Sequence, residues 1–394
     1  MPCALRPSPC ALRPAPCALR YACGVVDTLN PHPLLPQADR LLDMGFEEEV
    51  NRILQFLPPP GKRQTLLFSA TWGRDVEELS KRIQRTPEIV SDGTARGNDS
   101  GEGVGSLPGA AAQVDRALLR QWALLFAGGE ETRSDALCHV LESAQPRTEH
   151  GEESRCLVFC ETREQCEEVA SLLVSRGASA LAMHGGLEQS EREKVMIRFR
   201  NKSCRVLVAT NVASRGLDIE GVSLVVCYQL SREPAVHVHR VGRTARADRS
   251  GEAVSLIASV SDNAWDGNGD TRGGDEVELL DAVDQALGGE PIPRQWFRQT
   301  SGGRRDVAGT LRAWAAEWQT VLVLGGRRDK LRAGDILGAL SGAEVGLEGQ
   351  QVGKIDVTEQ RTWVAVRRSV AAQAARALNG VKIKKKRFKT HLIR

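Results

Sequence analysis

Apolar and polar positions divide the chain into blocks of different character. Between residues 114 and 260, short continuous apolar runs alternate with helical patterns. The runs at 156–160, 180–183, 205–209, 224–228 and 253–258 read as strands buried on both faces. Segments 163–176, closed by Gly177, and 189–200 read as helices between them. That alternation predicts a parallel sheet covered by helices on both sides. The last block, 317–394, has another order: strand 320–324, helix 335–340, strands 353–357 and 362–367, helix 370–378 and strand 388–393. A β-α-β-β-α-β order belongs to ferredoxin-like and RRM-type folds.

The first ninety residues are less regular. Segments 38–43 and 46–57 read as helices stopped by Pro58-Pro59-Pro60-Gly61, followed by an apolar run at 64–68 and a helix at 75–85. Residues 1–36 begin with a tandem Pro-Cys-Ala-Leu-Arg repeat. Prolines at that density forbid helices and sheet ladders, so a structureless tail is expected there. Segments 91–113 and 261–316 are Gly-rich and read as linkers or inserts, the second acidic with one helix at 276–287.

Composition supports several folded units. Of 394 residues, 41% are hydrophobic and 26% charged, enough to bury cores and too apolar for a wholly disordered chain. No apolar stretch is long enough for a membrane span, and no partner membrane is expected. The ten cysteines form no CxxC pair, and the repeat cysteines have no His or acid beside them, so no metal site is expected. The start lacks the apolar core of a signal peptide. A cytosolic protein with reduced thiols is the expectation.

Charge changes the picture. Residues 304–394 hold 19 Lys and Arg against 8 Asp and Glu, whereas the other 303 positions carry 34 basic and 42 acidic groups. A basic module on an acidic body points to a polyanion, with RNA or DNA the first choice. Within the module, Arg327, Arg328, Lys330 and Arg332 follow the first strand, and Lys382, Lys384, Lys385 and Lys386 precede the last. Two basic clusters beside one small sheet make a phosphate-binding face. Trp363 is the one aromatic placed to stack on a base, and it suits a core position equally well.

Further chemistry lies in two runs. One is Val208-Ala209-Thr210-Asn211-Val212-Ala213-Ser214-Arg215-Gly216-Leu217-Asp218; the other is His239-Arg240-Val241-Gly242-Arg243-Thr244-Ala245-Arg246. Arg243 and Arg246 are three apart, one helical turn, so both guanidiniums can face one anion. Ser69-Ala70-Thr71 and the stretch from Asp39 to Phe46 lie upstream.

In order and spacing these motifs resemble the DEAD-box RNA helicases, over 37–90 and 114–260. The run from Leu324 to Leu340, with Gly353-Lys354-Ile355 and Trp363-Val364-Ala365-Val366, resembles the RNA-binding domain of the DbpA type. The resemblance implies an α/β fold, with a RecA-like second helicase lobe, a partial first lobe and a C-terminal RRM-like domain. It implies catalytic roles for Arg243, Arg246, His239, Ser69 and Thr71, and ATP contacts for Gly216, Asp218, Arg243 and Arg246. ATP and Mg2+ are the implied cofactors. RNA is the implied partner, specifically 23S ribosomal RNA and precursors of the large ribosomal subunit. The resemblance implies that Gly185, Gln189, Arg192 and Thr210 are the second lobe's contacts to the RNA strand, and their backbone N–H groups, short polar groups and one cation suit phosphate positioning without base reading.

The departures are large. No Q motif or P-loop stands in the chain, since Gly61-Lys62 follows three prolines and precedes no Ser or Thr. Pro36-Gln37-Ala38-Asp39 stands where the family has Asp-Glu-Ala-Asp, removing the Mg2+ holder and the residue that orients water. Asn211 replaces the family's Asp. A remnant of an ATP lobe at 37–90 is expected, exposing apolar surface and unable to support ATP turnover. The simplest account of the start is a truncated reading of a longer gene, or a damaged one. A non-catalytic RNA-binding protein with one lobe and one RRM-like module is the alternative.

Overall fold

The structure is a computed structural model. It describes residues 34–35, 38–43, 46–69, 74–89, 118–144, 147–148, 151–211, 222–245, 249–259, 275–287, 291–297 and 311–393. The chain forms two units, 1–113 and 114–394.

In the first unit, strands β1 (Leu34–Leu35) and β2 (Leu66–Leu67) pair in parallel. Helices α1 (Ala38–Asp43), α2 (Glu47–Gln55) and α3 (Arg74–Ile83) bury Leu41, Val50, Val76, Leu79 and Ile83 in one small cluster. Phe56, Leu66, Phe68 and Ile89 remain exposed. A two-stranded parallel sheet has too few neighbours to cover its own apolar side chains.

The second unit holds a seven-stranded parallel sheet in the order β5-β6-β4-β7-β8-β3-β9. Its strands are β3 (Leu119–Ala127), β4 (Cys156–Cys160), β5 (Ala180–Met183), β6 (Val206–Thr210), β7 (Leu224–Cys227), β8 (Gly251–Ser259) and β9 (Arg294–Phe297). Period-two alternation feeds two cores. Cys156, Val158, Val206, Val208, Leu224 and Val226 face α4 (Glu130–Ser143) and α5 (Arg163–Ser175). Leu157, Phe159, Leu207, Ala209 and Val225 face α6 (Gln189–Arg200) and α7 (Pro234–Val241). Thr162 starts α5 with a capping box, its hydroxyl accepting from the Gln165 N–H at 3.2 Å. Gly177, at φ +97°, takes the left-handed turn that ends this helix region.

Within 261–316, the expected helix at 276–287 is present, and the described residues pack on the lobe. Helix α8 (Asp275–Leu287) packs Val277, Leu280 and Val283 on the sheet, and β9 pairs with β3. The Arg133 guanidinium, itself buried, bonds Glu276 at 2.7 Å and the Tyr228 carbonyl at 2.7 Å, locking α8 to the lobe. Farther on, Leu311 and Trp314 enter the main core. Trp314 donates its indole N–H to the Leu141 carbonyl at 2.7 Å, and the Arg205 guanidinium lies 5.0 Å above its ring. Buried aromatic area and paired polar atoms, rather than composition, decide that this segment packs.

A second core belongs to the C-terminal module. Strands β10 (Trp318–Val323), β11 (Val352–Val357), β12 (Thr362–Arg367) and β15 (Thr390–Leu392) form an antiparallel sheet in the order β11-β12-β10-β15. Val321, Val323, Val364 and Val366 face α9 (Ala333–Ser341) and α10 (Arg368–Gly380). A hairpin of β13 (Lys382–Ile383) and β14 (Lys386–Arg387) is added before the last strand. Among the described residues, no helix is long and apolar enough to cross a membrane.

Candidate nucleic-acid interface

Open parallel sheets place ligands at the carboxyl ends of their strands. Thr210 ends β6 and pairs with Cys160, the end of β4, while Met183 ends the neighbouring β5. Gly185 follows β5 and is exposed. Its turn is held by His184. The ring Nδ1 accepts the Gly186 N–H at 3.2 Å, which leaves Nε2–H to bond Glu167 at 2.8 Å. Gln189 opens α6 on the exposed side, and Arg192 lies three residues on. The structure thus gathers Gly185, Gln189 and Thr210 around one edge of the sheet. Thr210 is buried there.

Arg163 joins this edge and was not foreseen. A Cβ placed on Gly186 would meet the Arg163 Cδ at 3.5 Å, and one on Gly185 its Nη2 at 3.9 Å. The available signal was a cation at the first position of a helix that begins directly after a strand.

The arginine-bearing loop begins at the end of α7. Arg240 is 2% exposed, donates from Nε to Asn211 Oδ1 at 2.7 Å and from Nη1 to the Gln229 carbonyl at 2.6 Å, and lies over the Phe159 ring at 5.4 Å. Thr244 pins the loop by donating to the Val222 carbonyl at 2.7 Å. Gly251 has no room for a side chain, because a Cβ would stand 2.1 Å from Thr244 Oγ1. Ala245 takes φ +52°, a conformation that side chains resist. Arg243 and His239 lie half-buried between these pins. Burial below Arg240 also holds the His237 imidazole down to about 4, with the Arg240 charge adding to the effect.

Ser69 follows β2 in the first unit and is half-buried. Thr71, Gly216, Asp218 and Arg246 lie outside the described residues. Among the described residues, no group of three His, Cys, Asp or Glu could hold a metal ion.

In the C-terminal module, Arg327, Arg328, Lys330, Arg332, Lys382, Lys384, Lys385 and Lys386 are all exposed. Trp363 is 3% exposed in β12, so its ring is not open to a base. Gly325 lets the hairpin approach the loop, because a Cβ there would meet the Phe388 ring at 2.3 Å.

Three stretches match known families: the helicase conserved C-terminal domain at 132–248, the DbpA RNA binding domain at 320–391, and the DEAD/DEAH box helicase at 37–79. The ATP-dependent RNA helicase DbpA of Escherichia coli K12 is 37% identical over 369 residues, covering 94% of this chain and 69% of that protein. The chain belongs to the DbpA-type DEAD-box RNA helicase family. The Bacillus subtilis 168 DbpA is 28% identical over 360 residues, covering 91% of this chain and 68% of that protein. A variant of Saccharomyces cerevisiae Dbp5, solved with RNA and ADP BeF3, superposes with a TM-score of 0.51 at 25% identity. That match covers 67% of this DbpA-type chain and 59% of the Dbp5 chain.

Proposed function

We propose that this chain binds 23S ribosomal RNA during assembly of the large ribosomal subunit, in the cytoplasm, as a DbpA-like helicase does, and that alone it does not hydrolyse ATP. The observation that carries the RNA reading is the exposed basic surface of the C-terminal module, where loop 327–332 and hairpin β13–β14 lie together beside a closed hydrophobic core. Phosphates attract such a surface without regard to base. With Trp363 buried, shape and backbone contacts have to supply the selectivity. The sheet edge with Gly185, Gln189, Arg192 and Thr210 is the second grip, on a single strand. ATP contacts from Gly216, Asp218, Arg243 and Arg246 remain part of this reading for the family's complete site.

A second reading has a specific observation in its favour. Pro36 and Gln37 stand where metal and water chemistry need Asp and Glu. On that ground the chain acts as an RNA-binding protein without turnover.

Competition binding tests the substrate. The full chain should prefer a 23S hairpin fragment over an unrelated hairpin of equal length by roughly tenfold or more. Equal affinities would overturn the 23S assignment. RNA-stimulated ATP hydrolysis above the buffer blank would overturn the second claim.

A further inference from the structure

The two basic segments of the module are tied to each other by two lysines. Lys384 Nζ lies 2.7 Å from Asp335 Oδ2 and donates to the Lys330 carbonyl at 2.6 Å. Lys386 Nζ lies 3.2 Å from Asp329 Oδ1. Both carboxylates also serve the loop itself: Asp335 accepts the Arg332 N–H at 2.8 Å, and Asp329 accepts the Gly326 N–H at 3.4 Å. By contrast, Arg328, Lys382, Lys385 and Arg387 are exposed and pair with no carboxylate among the described residues.

The backbone is shaped to keep this arrangement. The hairpin turn is Lys384-Lys385, at φ +49° and +69°, and Lys330 sits at φ +61°. A two-residue turn of this kind ordinarily uses Asn-Gly, because β-carbons crowd the left-handed region. Of the three lysines in this region, Lys384 is the one whose side chain holds a partner among the described residues, and that contact offsets part of the local strain. Behind the hairpin runs a groove of about 570 Å³, with Gly338 and Gly342 among its lining and Lys382, Lys384 and Arg387 on its basic side.

We propose that Lys384 is a positioning residue, the pin that sets the hairpin against loop 327–332, while Lys382, Lys385 and Arg387 contact RNA phosphates. This rests on the RNA-binding reading of the module. A phosphate approaching Lys384 would have to displace the Asp335 carboxylate and would be repelled by it. Lys385 points from the same turn and has no such rival.

The test uses the full chain, thermal melting without RNA, and a labelled 23S hairpin fragment titrated over a series of salt concentrations. Lys384→Met and Asp335→Asn should each lower Tm by about 2 °C, and the double variant should be no worse than either single. Lys384→Met should leave the salt slope of RNA binding unchanged, whereas Lys385→Met should reduce it by about one without moving Tm. A Lys384→Met slope reduced by about one, with Tm unchanged, would overturn the assignment. Additive Tm losses in the double variant would overturn it as well. Should the wild-type chain fail to bind the RNA, the RNA reading falls, and the Tm cycle still decides the pin.

Discussion

Asn201 and Thr320 lie 119 positions apart and meet in a buried hydrogen bond, the Asn201 amide donating to Thr320 Oγ1 at 2.9 Å. The Thr320 hydroxyl passes its own proton to Ser203 Oγ at 2.9 Å, and the Ser203 N–H returns to Asn201 Oδ1 at 3.1 Å. The closed circuit joins the end of α6, in the helicase lobe, to the first strand of the RNA-binding module. Its neighbour is an ion cluster in which Glu317 accepts from Arg147 and Arg367, and Arg367 stacks on Trp318 at 4.4 Å. Thr320→Val keeps the shape and leaves two buried polar groups unpaired. A loss of about 1–3 kcal/mol is expected, read as a lower Tm and faster amide exchange across 318–323. An unchanged Tm would remove the circuit from the account.

His237 makes stability depend on pH. The Gln121 amide donates to His237 Nε2 at 2.9 Å, so the ring proton sits on Nδ1, 3.9 Å from Cys227 Sγ. The ring is neutral in the folded protein down to about pH 4, because burial and then Arg240 oppose its charge. The unfolded chain takes a proton near pH 6.5. Stability from this group is therefore complete above about pH 6.5 and declines toward pH 4, by about 3 kcal/mol at most. Urea titrations between pH 7 and 4.5 should show the decline, and His237→Gln should flatten it. An identical slope in the variant would assign the loss to other groups.

Arg240 is a buried guanidinium whose acceptors are an amide and a carbonyl, and its Nη2 has no partner among the described residues. A carboxylate in place of the Asn211 amide would give it a counter-charge. Asn211→Asp should stabilise the lobe by about 1–2 kcal/mol at neutral pH. The gain should vanish as acid protonates the new carboxylate. A lower Tm for this variant at pH 7 would show that the amide N–H of Asn211 matters more than the charge.

Much of the fold was legible because burial on both faces writes continuous apolar runs. Cys156–Cys160 and Val206–Thr210 are plain in the sequence for that reason. Strand β9 was not, since Arg294-Gln295-Trp296-Phe297 is a half-buried edge strand, and its apolar signal is split by polar side chains. Trp314 was hidden in a segment read as a linker, because one aromatic anchor carries no periodicity. In the candidate site, Thr210, Gly185 and the two basic clusters could be named from motif and charge. The different roles of Lys384 and Lys385 could not. Adjacent lysines look alike until Asp335, some fifty residues away in sequence, is brought beside one of them.

The salt dependence of ribosomal RNA binding tests the central claim most directly. With Arg328, Lys382, Lys385 and Arg387 free to meet phosphates, the logarithm of affinity of the full chain for a 23S hairpin fragment should fall against the logarithm of salt. The expected slope is roughly −3 to −4. A slope near zero, or no binding in low salt, would contradict an RNA-gripping C-terminal module.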